Sequence, residues 1–190
     1  DRTGGVGTLK LVGTLDNTGD ILTLDDSTGQ LKMDSGGVVT GGSIALTASN
    51  FDVVNGFFQN VTLASDLVLD GSHQLRVLGT LTLGDGVTLQ IGGPTVGTSY
   101  VYQGSGAAWG IAGNGTVLFG GSSGNSSSRN LGSGGAPLTI GPGVTVRAEY
   151  DSTIAMGGGA VQGSVLTTTP TSGSTVPTLT IDGSRHHAVA

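Results

Sequence analysis

No cysteine occurs anywhere in the 190 residues. That removes disulfide frameworks, thiolate zinc sites, cysteine nucleophiles and iron–sulfur centres together. Charge is scarce as well, at 11% of the chain, and the seven Lys and Arg are scattered within a net charge of −6. Nucleic acid and anionic membranes are held by clustered cations, so neither is expected as a partner. Aromatic residues make up only 4%, which argues against the ring platforms of a carbohydrate-active enzyme. Gly86 to Ser128 is free of charge, yet Gly, Ser, Asn and Gln interrupt it throughout. No apolar run therefore reaches the roughly 18 residues that span a bilayer, and no membrane insertion is expected. Nor does any stretch carry the i, i+3, i+4, i+7 stripe of an amphipathic helix.

What remains is glycine, threonine, serine and short apolar alternation. Hydrophobic residues amount to 36%, enough for a packed core, and glycine supplies 37 positions, enough for many tight turns or close backbone approaches. Charge is unevenly placed. Residues 1–85 hold ten Asp against Arg2, Lys10, Lys32 and Arg76, while the remainder balances three acids with three bases. The chain opens at Asp1 with neither Met nor a basic segment before an apolar one, the pattern of a mature form or an excised piece.

Period-two alternation recurs in "TLKLVG" (8–13), "DILTLD" (20–25), "QLKMD" (30–34), "SIALTA" (43–48), "NVTLASDLVLDG" (60–71), "QLRVLGTLTLG" (74–84) and "VTLQIG" (87–92). It continues in "GTVLFG" (115–120), "PLTIG" (137–141), "VTVRAE" (144–149) and "PTLTID" (177–182). The chain is thus expected to be all-β. A repeat selects among β architectures. Residues 81–92 align with 138–149 through Leu81/Leu138, Thr82/Thr139, Gly84/Gly141, Gly86/Gly143, Val87/Val144 and Thr88/Thr145. Sandwiches seldom repeat themselves so, whereas a parallel β-helix stacks like residues in ladders. A β-solenoid of about eight coils follows, a rod on the order of 40 Å long at sheet spacing. Its interior is expected to hold Leu9, Leu11, Leu22, Leu24, Leu31, Met33, Leu67, Leu69, Leu81, Leu83, Leu89, Ile91, Leu138, Ile140, Val144 and Val146. Alternate Thr and Ser would face water. The run "GGSSGNSSSRNLGSGG" (120–135) reads as a loop inserted outside the coil, and has no Lys-Ser or Lys-Thr to make it a phosphate cradle. Residues 1–166 then form the solenoid and 167–190 a Thr/Ser/Pro-rich connector or docking arm with a last strand.

The phrases "NVTLASDLVLDGSHQLRVLGTLTLGDGVTLQIGG", "GTVLFGG" and "LTIGPGVTV" resemble the β-solenoid repeats of large bacterial surface and secreted adhesins of the filamentous-haemagglutinin kind, over about residues 57–150. The resemblance implies an extracellular or cell-surface protein whose solenoid serves as stalk, adhesive rod or fibre.

Any chemistry would have to come from a few polar residues. Parallel β-helices also carry polysaccharide lyases and hydrolases, which need carboxylates and a base converging on one face. The material is Asp25 with Asp26, Lys32 with Asp34, and Arg76, Arg147 and Glu149, all read as solvated turn and outer-face charges. Trp109 lies in an Ala/Gly-rich stretch. His73 sits in the turn "DGSHQ", while His186 and His187 close the chain, so no three ligands have metal-site spacing. "GDG" (84–86) and "DDSTG" (25–29) read as turns rather than calcium loops. Asn60, Asn114 and Asn125 begin N-x-S/T triplets, relevant only in a eukaryotic secretory host. The T-x-T phrases Thr80/Thr82 and Thr178/Thr180 suggest an ice-binding face, but too few coils share them. No catalytic, cofactor or metal residue is therefore assigned. With no amphipathic cap legible at either terminus, the expected function is that of a non-enzymatic structural module. It would associate head to tail with its own kind or with neighbouring repeats of a larger chain, and bind a surface glycan as a further option.

Overall fold

The computed structural model describes residues 7–25, 27–46, 51–121, 128–133, 135–168 and 176–183. Short alternating segments separated by one- to several-residue corners wind the chain into a coil with three strands per turn. The first turn is β1 (Thr8–Leu11), β2 (Thr14–Asp16) and β3 (Ile21–Leu24), the second β4 (Gln30–Met33), β5 (Gly37–Thr40) and β6 (Ser43–Leu46). The third is β7 (Phe51–Val53), β8 (Asn55–Gln59) and β9 (Thr62–Leu63), the fourth β10 (Leu67–Leu69), β11 (Gln74–Leu78) and β12 (Thr80–Leu83). The fifth is β13 (Thr88–Ile91), β14 (Ser99–Gln103) and β15 (Trp109–Gly113), the sixth β16 (Thr116–Phe119), β17 (Arg129–Gly132) and β18 (Leu138–Ile140). The seventh is β19 (Thr145–Ala148), β20 (Ser152–Ala155) and β21 (Ala160–Val161), and β22 (Ser164–Thr167) and β23 (Leu179–Asp182) begin an eighth. Each strand pairs in parallel with its equivalent one turn away. The protein is a parallel β-solenoid.

The second strands of each turn form one continuous eight-stranded face and the third strands a seven-stranded face. The first face is interrupted, with β1-β4-β7 in one ladder and β10-β13-β16-β19-β22 in another. The cause is a corner. Only Val54 separates β7 from β8, whereas Asp70–His73 separate β10 from β11, although Asn55 and Gln74 stand in register. The three extra residues carry β10 out of line with β7, and the first face steps at that point.

Packing follows the columns. Leu67, Leu89, Val117, Val146 and Val165 stack rung on rung, and every one except Val165 is fully buried. Leu75, Val101, Leu131 and Ile154 do the same on the second face. Covering such a side chain is worth about 1.5–3 kcal/mol. Of the expected interior set, Leu11 and Leu22 pack at the margin of the core and the rest are buried. Leu9 is the exception: 54% of it is exposed, because β1 has a neighbour on one side alone among the described residues.

Two further expectations are corrected. Residues 120–135 do not simply loop outside the coil, since Arg129–Gly132 form β17 between β14 and β20; residues 122–127 and Gly134 lie outside the described set. The 57-residue repeat is two turns long, and its second half is in true register, Thr88 with Thr116 and Thr145. Its first half is shifted by two. Leu81 stands over Ile111 and Ile140 rather than matching Leu138. The corner Gly84–Val87 has four residues, its counterpart Asn114–Gly115 two, and β15 absorbs the difference at Gly113. There φ is +97°, and a Cβ would collide with the main-chain oxygen of Leu83 in the adjoining turn.

Candidate functional site

The residues singled out for chemistry are dispersed by the fold. Asp25 lies in the turn after β3, where its Oδ1 accepts hydrogen bonds from the N–H and Oγ of Ser27 and the N–H of Thr28. Those donors, the Ser27 hydroxyl foremost, hold its carboxyl below the ordinary carboxylate value. Asp26 lies outside the described residues, as do His186, His187 and Asn125. Lys32 pairs with Asp52 at 3.3 Å, and His73 Nε2 approaches the other oxygen of Asp52 at 3.2 Å. Lys10 and Lys32 are rung neighbours, and Lys10 leans instead to Asp34 at 3.6 Å. Arg147 is tied to Glu149 at 2.8 Å on the first face, β19, whereas Arg76 is on the second face, β11. Trp109 is buried and points into the core. Asp66 and Asp70 accept from the backbone N–H groups of Thr88 and Thr95 in the following turn, so they lock corners together. Among the described residues no group of three or more His, Asp or Glu is arranged to hold a metal ion, and no helix is long and apolar enough to cross a membrane.

Threonine columns are single. Thr88, Thr116 and Thr145 stack, but the parallel column two positions along is Gln90, Leu118 and Arg147.

The step in the first face opens a groove of about 970 Å³ bordered by Asp52, Asp66, Asp70, His73 and Asp85. Residues 47–50, which precede β7, lie outside the described set.

The second face carries a different surface, one that composition concealed. All four buried aromatics, Phe51, Phe58, Trp109 and Phe119, point inward, and the four half-buried ones, Phe57, Tyr100, Tyr102 and Tyr150, lie on or beside this face. Phe57, Arg76 and Tyr102 occupy successive rungs of one column. The Arg76 guanidinium sits 4.9 Å from the Phe57 ring and 5.4 Å from the Tyr102 ring, and its Nε donates to the Tyr102 hydroxyl at 2.6 Å. That hydroxyl donates in turn to Gln74 Oε1 at 3.0 Å. The neighbouring column is Asn55, Gln74, Tyr100, Asn130 and Thr153. Tyr100 meets Tyr102 edge to face at 6.2 Å. Gln74, Tyr100, Tyr102, Asn130, Ser133 and Thr153 line a shallow recess of about 510 Å³.

A buried arginine, Arg129, supports this face from within. Arg129 is in register with Ser99 and donates from Nε to the Gly120 carbonyl. Its guanidinium lies 4.6 Å from the Tyr150 ring, and burial lowers its pKa from the free value.

Sequence reasoning passed over Tyr100, Tyr102, Phe57, Gln74 and Asn130. The usable signal was "SYVYQ", where tyrosines at i and i+2 must share one face of a strand. None of the family models, curated proteins or solved structures compared with the chain matches it.

Proposed function

We propose that the chain is a non-enzymatic structural module of a secreted or surface-exposed adhesin or fibre, joined end to end to further coils. Those coils belong either to its own longer chain or to a second copy. The observation that carries this reading is what happens to one column at each end of the rod. Leu9, Leu31 and Phe51 are rung partners, yet Leu31 and Phe51 are buried and Leu9 is 54% exposed. At the opposite end Val146 is fully buried and its partner Val165 is 36% exposed, with Leu166 beside it at 49%. Leu9 and Val165 carry the same residue type as the buried interior of their columns, which is what a coil needs if another coil is to lie upon it; Leu166 stands instead on Arg147, on the outer side. Edge strands built to remain edges place charges at inward positions, whereas the one cation on β1, Lys10, alternates with Leu9 and leans to Asp34.

The repeat style, which resembles that of filamentous-haemagglutinin-like adhesins, and the scarcity of charge both support the extracellular structural reading. Sedimentation and electron microscopy of the purified chain test it. Rods that lengthen with protein concentration are expected, and Leu9→Lys or Val165→Lys should shorten them while leaving the far-ultraviolet circular dichroism unchanged. Dispersed single particles at about millimolar concentration, where even a weak contact of about −4 kcal/mol would be half occupied, would sink end-to-end association of copies.

A further inference from the structure

We propose that the second face is a binding site for a carboxylated polysaccharide, with Tyr100 and Tyr102 as the stacking surface and Arg76 as the carboxylate receptor. This goes beyond the end-to-end reading and does not depend on it, since the face lies along the side of the rod.

Three observations on one surface point to that chemistry. The half-buried aromatic rings are gathered there, although aromatics are rare in the chain. Half-exposed rings beside fixed polar groups suit a ligand that is itself apolar on one face and polar at its edge, as a pyranose ring is. Next come the polar groups of the adjoining column. Gln74, Asn130 and Thr153 stand on successive turns around Tyr100, so amide and hydroxyl groups recur along the rod axis at sheet spacing, about 4.8 Å. A linear glycan laid along the axis would meet one such group after another.

Arg76 decides the class of sugar. Among the described residues no carboxylate pairs with it, whereas Lys10, Lys32 and Arg147 all have acidic partners. Its position is held by the two flanking rings and by the bond from Nε to Tyr102, which is in turn anchored on Gln74. A guanidinium held in this way has already lost its rotamer freedom, and its planar fork matches a carboxylate. Nucleic acid, the other polymer that stacks on aromatics, needs many cations along its track, and among the described residues this face presents Arg76 with Arg129 buried beneath it.

The test uses the full chain with tetragalacturonate as probe and cellotetraose as the neutral control, read by titration calorimetry and by amide shifts. Tetragalacturonate is expected to bind, and to bind more tightly than cellotetraose. Arg76→Gln should weaken tetragalacturonate binding about tenfold or more, the value of a charge-assisted contact, and leave cellotetraose unchanged. Tyr100→Ala, which removes a half-exposed ring, should weaken both while the melting temperature stays within about 2 °C of the parent. No binding of tetragalacturonate by the parent chain, equal binding of the two sugars, or binding indifferent to both substitutions would each overturn the proposal. Rod formation in the same samples reads the end contacts separately.

Discussion

The stacking of neighbouring turns can be tested by adding one methyl group at either of two glycines. Gly86 and Gly113 both have positive φ, +71° and +97°, so alanine at either position suffers the left-handed strain, about 1–2 kcal/mol. Part of that is recovered, about 0.4–1 kcal/mol, because alanine restricts the unfolded chain. Their surroundings differ. A Cβ at Gly86 meets nothing within 4 Å, while one at Gly113 collides with the Leu83 carbonyl oxygen of the adjoining turn. That oxygen belongs to a main chain held on both sides by ladder bonds, with Asn114 N–H donating to it at 3.1 Å, so it cannot step aside. Overpacking of this kind costs about 1–3 kcal/mol. Gly86→Ala is therefore expected to lose about 1 kcal/mol and Gly113→Ala about 2–4 kcal/mol. For a chain of this size the difference of about 1–3 kcal/mol corresponds to roughly 2–12 °C in melting temperature. Urea unfolding followed by circular dichroism, with the m-value compared between variants, measures it. Losses equal within about 0.5 kcal/mol would mean that Leu83 is not stacked on Gly113, and the register of turns four and five would be wrong.

Further expectations follow from burial and charge. Phe58 is fully buried and stacked on Phe51 at 6.0 Å, so Phe58→Ala should cost about 3–5 kcal/mol in thermal or urea unfolding. Leu9→Ala should cost under about 0.5 kcal/mol in the unassociated chain, since Leu9 is mostly exposed. Asp25 has a folded pKa below its unfolded one; its contribution is thus fully present above the unfolded value and fades as pH falls through the folded value. Asp25→Asn should accordingly be less stable than the parent at about pH 7, the difference shrinking as pH falls through the folded value, and a carboxyl titration by nuclear magnetic resonance should place Asp25 below the ordinary range. Asp52→Asn removes the shared partner of Lys32 and His73, all partly exposed, and should cost no more than about 1 kcal/mol, less in high salt.

Most of the strands that alternated cleanly in the sequence are strands in the structure, because apolar columns need the same residue type every turn and the chain repeats its phrases to supply it. "TLTL" and "LTI" became β12 and β18, which share the third face. The strands that were not legible break the pattern for physical reasons. β5 and β8 contain the rung partners Gly37 and Gly56 at inward positions, where the alternation shows no side chain. β14, β17 and β20 begin with inward polar residues, Ser99, Arg129 and Ser152, all buried. Ser99 Oγ finds the carbonyls of Leu69 and Gly71 at 3.0 and 2.9 Å, so a polar residue is tolerated in a core position that periodicity alone would assign to Leu or Val. Arg129 is the extreme case. Its neighbours in sequence are Ser and Asn, its neighbours in space are the Gly120 carbonyl and the Tyr150 ring, and a Gly/Ser-rich run therefore hid a strand.

The same geometry explains why the second-face surface escaped a reading of composition. In a solenoid the side chains that touch across a face are one turn apart in the chain, and the turns here differ in length. Phe57 meets Arg76 after 19 residues and Arg76 meets Tyr102 after 26. No fixed spacing links the three, and each appears alone among small residues. Local sequence therefore reports the scaffold, whose demands recur on every turn, far better than a binding surface, whose members are set by which corners are long and which are short. Corners absorb extra residues: the three that Asp70–His73 hold over Val54 leave Gln74 in register with Asn55. A two-residue insertion within Asp70–His73 should therefore leave both the solenoid's circular dichroism and tetragalacturonate binding intact. Exchanging Gln74 and Arg76, two positions on one face of β11, keeps the alternation but takes the guanidinium off the rung of Phe57 and Tyr102; it should weaken tetragalacturonate binding as much as Arg76→Gln does, and undiminished binding would show that the column of Phe57, Arg76 and Tyr102 is not what holds the sugar.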